Sequence, residues 1–502
     1  MDKMYVLDAA YMRRADEGTI HMLGIGQDVL MERAALAVAE RVKSYNPQKI
    51  LCVCGTGNNG GDAIAVARIL LMQGLEADIY LCGDSQRHKP AVMHQCNIFA
   101  KIGGRTVTDC IFTEYDMIVD GIFGIGLERE VNGAFADAIR AINCARNSGS
   151  KVISVDIPSG IHTDTGVIMG IAVKADETVT FAYHKPGHLL YPGAEYSGLV
   201  TVKEIGISHK FFYSENEMRM FTVAKDAKPL LPKRPRNGNK GTFGRVLIIA
   251  GSKDMYGACY LSALAALRTG AGLVDIFTHE INRTSLQSHL PEAIVHTYGD
   301  SGFEREALRE LMINADCVII GPGLSVNETA MQLVTTVLQY CESDIVADAD
   351  ALNCIAKNIE ILKEYGSVKE RKIILTPHPG ELSRLTGEKI ADLKKNYVDK
   401  IKAFAKEYQV VLVGKDAGTV VSDGENVYIN QTGNSGMATA GSGDVLSGII
   451  AALSAGKEDA FDAAWKGVFL HGKAGDAALR DSNAYSLIAG DIANVLTKIL
   501  KE

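Results

Sequence analysis

Short apolar runs alternate with longer helical stretches along most of the chain. Asp28 to Tyr45 (DVLMERAALAVAERVKSY) repeats its apolar positions at helical spacing. Five short strand-like runs follow: KILCVC (49–54), ADIYL (77–81), MIVD (117–120), KVISVD (151–156) and ETVTF (177–181). Helical stretches separate most of them. This alternation predicts a mostly parallel, doubly wound α/β sheet.

The rhythm weakens after Ile205. Within Gly206 to Lys240, KPLLPKRPRNGNK (228–240) is proline-rich and basic. Residues 215–240 are therefore expected to form a linker region. The rhythm restarts with RVLIIA (245–250), LVDIF (273–277), CVII (317–320), DIVAD (344–348), KIILT (372–376) and VVLV (410–413). Two glycine-bounded strands come next, GTVVSD (418–423) and NVYIN (426–430), and then helical VLSGIIAALSAG (445–456) and FDAAWKGVFLHGKAGDAALR (461–480). Two α/β domains are expected, over residues 1–214 and 225–502, since 502 residues exceed one typical domain.

Charge and cysteine usage narrow the class of partner. A net charge of −8 provides no general basic surface for nucleic acid or acidic lipid. The ten cysteines show no CxxC or zinc spacing, and Cys52 and Cys54 read as small apolar fillers of a buried strand. Such usage suits a reducing compartment. MDKMYVLDAAYMRRADEG lacks an apolar signal core, and no run reaches membrane-spanning length. A cytoplasmic protein is expected, a homo-oligomer with no membrane or nucleic-acid partner.

Parallel sheets bind ligands beyond the carboxyl ends of their strands. In the first half, strand 49–54 runs into GTGNNGGD, strand 117–120 into GIFGIGLERE after Asp120, and strand 151–156 into IPSG after Asp156. Gly55, Gly57 and Gly60 make a GxGxxG, the mark of a Rossmann-like dinucleotide site, yet Asp62 falls where a pyrophosphate would lie. One such aspartate is best read as a helix cap. Three strand ends carrying glycines, Asn59, Ser159 and carboxylates favour a ligand site. Asparagine, serine and aspartate oxygens are hard donors that suit an alkali or alkaline-earth cation.

NNGGD, DGIFGIGLERE and VDIPSGI together resemble the YjeF-type N-terminal domain of NAD(P)H-hydrate epimerases, over roughly residues 10–210. The resemblance implies that Asn58, Asn59, Gly60, Gly61, Asp62, Gly124, Ile125, Gly126, Leu127, Glu128, Arg129, Glu130 and Asp156 line the hydrated-dinucleotide site. It also implies potassium on Asn59, Asp120 and Ser159. The residues leave open whether Asp62 or Asp156 moves the proton. Asp156 is favoured because it ends a central strand and is rigidly held.

In the second half the sharpest signal is TAGSGDVLSGIIAAL (439–453), a small-residue loop, then Asp444, then an apolar helix. Glycine N–H groups at a helix start can neutralise a transferring phosphoryl group, and an aspartate there can accept a proton from an attacking hydroxyl. A helix cap explains a lone GSGD almost as well. Here LTPHPGEL (375–382), ADADALN (347–353), GPGL (321–324) and GKDAGT (414–419) also follow strands. No GxxxxGK[ST] occurs, so this is not a P-loop enzyme.

With KGTFGRVLIIAGS (240–252), MYGA (255–258) and GAGLV (270–274), this set is similar to the ribokinase-like C-terminal YjeF domain, the ADP- or ATP-dependent NAD(P)H-hydrate dehydratase, over about residues 225–500. The resemblance implies that Ala258, Gly323, His378 and Asp444 contact the hydrated cofactor. It places Lys415, Asp416, Ala417, Gly418, Thr419 and Gly443 at the adenine nucleotide. KDAGT stands where many members carry a KGxxT-type run, which puts the side-chain role of Asp416 in question. Magnesium would clamp the phosphates, and Asp444 would be the base of the phosphoryl step. The whole chain then reads as a bifunctional repair enzyme that epimerises R and S NADHX and NADPHX and dehydrates the S form with ADP or ATP. The rival reading is a vitamin or sugar kinase with a nucleotide-binding regulatory N-domain.

Overall fold

The computed structural model describes residues 3–211, 220–228, 231, 234–366 and 370–500. It divides into two compact units, Met4–Met220, and Met1–Lys3 with Phe221–Glu502.

In the first unit every strand pair of the main sheet is parallel. The order is Arg105–Val107, Glu76–Leu81, Lys49–Cys54, Met117–Gly121, Lys151–Val155, Glu177–Phe181 and Leu199–Lys203. Alternate side chains of a strand point to opposite faces. Ile50, Cys52 and Cys54 accordingly pack with the helices Gln27–Ser44 and Asn58–Met72, whereas Leu51 and Val53 pack with Ala134–Asn147. The outer strands Arg105–Val107 and Leu199–Lys203 escaped the sequence reading. Neither contains a fully buried residue, and both carry polar positions within the run.

Two of the GxGxxG glycines, Gly55 and Gly60, have a packing role. A Cβ on Gly55 would lie 1.9 Å from Ile122 O, and one on Gly60 would lie 2.0 Å from Gly55 O. These residues let the loop after Lys49–Cys54, the start of the next helix and the loop after Met117–Gly121 close on one another. Any side chain there would force apart the strand ends that frame the site.

In the second unit, parallel strands run in the order Ile294–Tyr298, Leu273–His279, Arg245–Ile249, Cys317–Ile320, Asp344–Ala347, Ile373–Leu375 and Val411–Gly414. An antiparallel hairpin, Val420–Ser422 and Val427–Ile429, continues the sheet. Helix Ser442–Ala455 is apolar and buried almost all round, packed on the sheet and on helices Tyr256–Thr269 and Ala460–Asp481. Gly448 permits that contact, because a Cβ there would lie 2.2 Å from Ser262 O.

Phe221 begins the second unit inside the expected linker, within the strand Met220–Val223, and Thr222 Oγ1 donates to Ile429 O at 2.7 Å. Residues 215–219, 229–230 and 232–233 of that expected linker region, and 212–214 just before it, lie outside the described residues.

Candidate active sites

Each unit carries its own site at the carboxyl ends of its parallel strands. In the first unit a cavity of about 500 Å³ is bordered by Gly57, Asn58, Asn59, Asp62, Gly124, Ile125, Gly126, Leu127 and Asp156. Gly60 and Gly61 lie buried beneath it, packed against Gly55 O and the Met31 side chain. Glu128, Arg129 and Glu130 are exposed and do not border the cavity. The helix begins at Asn58, so Asp62 is not at its start but one turn inside it.

Asp156 leaves its strand with φ +66°, which turns its carboxylate onto the next strand. Its Oδ1 accepts from Thr180 Oγ1 at 2.9 Å, from the Phe181 N–H at 3.3 Å and from Lys185 Nζ at 2.5 Å. Lys185 is fully buried. Burial pushes its pKa down, opposed by the charge of and hydrogen bond to Asp156. His188 Nδ1 accepts from the Lys185 N–H at 3.1 Å, so its Nε2–H donates to Asp156 O at 2.9 Å. Burial and the nearby Lys185 charge hold His188 well below the ordinary histidine range and His184 at about 4, so both rings are neutral. The sequence reading missed Lys185, Thr180 and His188. The signal was present: YHKPGH follows strand Glu177–Phe181, where the strand-end rule applies equally.

Asp62 stands in contrast. Burial, then the charges of Asp156 and Asp16, raise its pKa well above the usual carboxylate value. The cavity therefore sets an Asp62 whose carboxyl is held toward its neutral form beside an Asp156 paired with a lysine.

The three expected cation ligands come together. Ser159 Oγ donates to Asp120 Oδ1 at 2.6 Å and accepts from the Phe123 N–H at 2.8 Å, and Asn59 Nδ2 donates to Phe123 O at 2.9 Å. Asp120 is fully buried, and it also accepts from Ser154 Oγ and the Ser159 N–H at 2.8 and 2.9 Å. Burial raises its pKa while these bonds oppose the rise. One buried acid among neutral oxygens fits an alkali cation. Among the described residues no group of three or more His, Cys, Asp or Glu is arranged to hold a metal ion.

In the second unit Asp444 is the third residue of helix Ser442–Ala455, and the N-cap is Gly441 with φ +85°. Asp444 is therefore not the cap of its helix. Burial, then the charge of Asp348, pushes it up to about 7. Lys415 Nζ donates to Asp348 Oδ1 at 2.8 Å, and Ser447 Oγ donates to Asp348 Oδ2 at 2.8 Å. A Cβ on Gly443 would sit 3.2 Å from Lys415 Nζ, so the glycine lets the helix start descend onto the lysine.

His378 caps helix Pro379–Thr386. Its Nδ1 accepts from the Gly380 N–H at 2.9 Å, and Glu381 returns the bond to the His378 N–H at 2.8 Å. Burial raises Glu381 to about 7, against the pull of Lys415. Gly323 and Ala258 are neighbours, since a Cβ on Gly323 would lie 2.9 Å from Ala258 Cβ. Asp416 folds its own loop: it accepts from the Ala417 N–H at 3.0 Å, its backbone oxygen accepts from Thr419 Oγ1 at 3.0 Å, and it lies 3.1 Å from Lys394 Nζ. Half-buried His471, held at about 4, lies 3.3 Å from Ser442 Oγ and was not anticipated.

Comparison with known proteins bears on both units. Residues 246–498 match the family model of the NAD(P)H-hydrate dehydratase, and residues 27–187 that of the YjeF-related protein N-terminus. The bifunctional NAD(P)H-hydrate repair enzyme Nnr of Moorella thermoacetica is 36% identical, with 99% of this chain and 97% of that protein covered. The chain belongs to the bifunctional NAD(P)H-hydrate repair enzymes. The repair enzyme of Escherichia coli is 33% identical over 97% of this chain and 92% of its own. A solved ribokinase-like superfamily protein from Enterococcus faecalis is 28% identical with a TM-score of 0.50, over 56% of this chain and 95% of that one. The second unit of this repair enzyme thus has a ribokinase-like fold, joined in the chain to a parallel Rossmann-like unit. No helix among the described residues is long and apolar enough to cross a membrane.

Proposed function

We propose that the first unit interconverts the R and S hydrates of NADH and NADPH, and that the second dehydrates the S hydrate with ADP or ATP as co-substrate. The observation that carries the reading is the division of labour among carboxyls. Asp156 is paired with buried Lys185 in a cavity built from NNGGD and GIGL, while Asp444 is poised near neutrality beside Lys415. A carboxyl that titrates near neutrality is what a general base working at neutral pH requires.

In the second unit hydroxide is a poor leaving group. Asp444 takes the proton of the ring hydroxyl as that oxygen attacks the terminal phosphorus of the nucleotide, whose bridging P–O bond breaks to release the nucleotide one phosphate shorter; phosphate then leaves the ring carbon as the neighbouring carbon gives up a proton to solvent, which restores the C=C bond. The N–H groups at the start of helix Ser442–Ala455 face the phosphoryl charge, and Lys415 sits directly beneath them. Magnesium, bound through the nucleotide, would neutralise its phosphates. The chain acts as a cytoplasmic homo-oligomer on small-molecule substrates.

Purified protein is mixed with both hydrate epimers, and each nucleotide is supplied separately. The near-ultraviolet absorbance of reduced nicotinamide should recover from the whole mixture. A phosphorylated product with no recovered absorbance would mean a small-molecule kinase instead.

Two further results are expected. Potassium would sit at Asn59, Asp120 and Ser159. Asp120→Ala should lower epimerisation by at least the roughly 10–100-fold typical of a lost ligand-supporting group, abolish its response to potassium, and leave dehydration of pure S hydrate near normal. Equal loss of both activities in a folded protein would refute this placement. Dehydration should also follow the ionisation of Asp444. With its carboxyl near 7, kcat/KM rises with pH through about 7 as the base form appears. A profile flat through neutrality would remove Asp444 as the base.

A further inference from the structure

Three carboxyls border the cavity of the first unit, and one of them lies outside every motif described above. Asp16 is on helix Ala9–His21, ahead of the residues matched by the family model. That helix buries Ala9, Met12, Ala15 and Thr19, and it presents Met12, Arg13 and Asp16 to the cavity wall. Asp62 arrives from helix Asn58–Met72 and Asp156 from the end of Lys151–Val155. Their bonding differs sharply. Asp156 accepts from Thr180, Phe181 and Lys185, whereas neither Asp16 nor Asp62 accepts a hydrogen bond from a described residue.

We propose that Asp16 is a positioning residue of the epimerase site, which shares one proton with Asp62 so that Asp62 acts as the acid opposite the base Asp156. The proposal rests on the epimerase reading above. Like charges confined together cannot all ionise, so one proton stays on the pair that lacks a cationic partner. Burial, then the charges of Asp156 and Glu17, raises Asp16, in keeping with this division. The other charged groups at these carboxyls are Arg13 and Lys89 on the cavity wall and Lys185 behind Asp156.

The chemistry balances. Hydration of an enamine puts the hydroxyl on the carbon bonded to nitrogen. Asp62 gives its proton to that hydroxyl, and the C–O bond breaks to release water. The lone pair of the ring nitrogen becomes the second bond of a C=N⁺ iminium. A water on the other face adds its oxygen to the carbon, the π pair returns to nitrogen, and Asp156 takes the surplus proton. One water leaves, one enters, and one proton has passed from Asp62 to Asp156. It returns to the Asp16–Asp62 pair through solvent.

The test is the pH profile of epimerisation by the full chain, with dehydration of pure S hydrate and a melting curve on each preparation. The unaltered protein should lose epimerisation at alkaline pH as the shared proton is lost. Asp16→Asn removes the charge that holds the proton on Asp62, so this limb moves to lower pH. The loss on the alkaline side should be roughly tenfold, the size of a coupling of about one pK unit. Asp16→Glu should restore the limb, Asp62→Asn should abolish epimerisation, and dehydration should be unchanged throughout. Asp16→Ser replaces the amide variant if that one melts early. A uniform fall at every pH, or a profile identical to that of the unaltered protein, overturns the proposal. Absence of epimerisation in the unaltered protein overturns the underlying reading and the proposal with it.

Discussion

Asp444→Asn should lower nucleotide-dependent dehydration about 10²–10⁴-fold, the usual cost of losing a general base, while epimerisation stays intact. The helix of Asp444 is capped by Gly441, so the substitution removes no cap. Its ionisation gives the stability effect a definite sign. The folded protein holds a proton on Asp444 up to about pH 7, whereas the unfolded chain releases it in the ordinary carboxylate range. The stability that this group contributes is therefore fully present below that range and is lost as pH rises through about 7. Asparagine does not ionise, so above pH 7 the variant should melt no lower than its parent. The measurements are dehydratase turnover, melting curves at acidic and alkaline pH, and epimer interconversion on one preparation. A well-folded variant with near-normal dehydration would end the proposed mechanism.

The second large effect belongs to Asp156 and Lys185. Asparagine tolerates the positive φ of residue 156, so Asp156→Asn preserves the backbone. It removes the base, and epimerisation should fall about 10²–10⁴-fold. It also strands a buried lysine. Breaking one side of a buried pair costs about 3–5 kcal/mol, whereas replacing both partners is often near neutral. Asp156→Asn should therefore melt well below the parent. The double variant Asp156→Asn/Lys185→Met should regain much of that loss yet remain inactive in epimerisation. Recovery of activity along with stability would show that the pair only holds the fold together. Dehydration by the second unit serves as the internal control.

These expectations draw on features of unequal visibility in the sequence. The central strands were legible because a strand buried on both faces is an unbroken apolar run, as in KILCVC and CVII. Strand ends followed from the strands, and so did the grouping of Asn59, Asp120 and Ser159. The partly buried outer strands Arg105–Val107 and Leu199–Lys203 were not legible, because polar neighbours break the run that marks a strand. Small residues before Asp444 announced a helix start, but not that the start lies two residues earlier, at Ser442.

The sequence by itself determined the alternation of strands and helices, the division into two α/β units, and the loops on which the polar chemistry falls. Those features are local, since apolar spacing and glycine content report the burial and turning of nearby backbone. Only the tertiary structure decided which carboxyl keeps its proton. Asp156 meets a lysine 29 positions away, and Asp348 meets one 67 positions away. Asp16 reaches the same cavity as Asp62 and Asp156 from an N-terminal helix with no motif of its own. Ionisation is set by burial and by charges a few ångströms off through space, and distance along the chain carries no record of either.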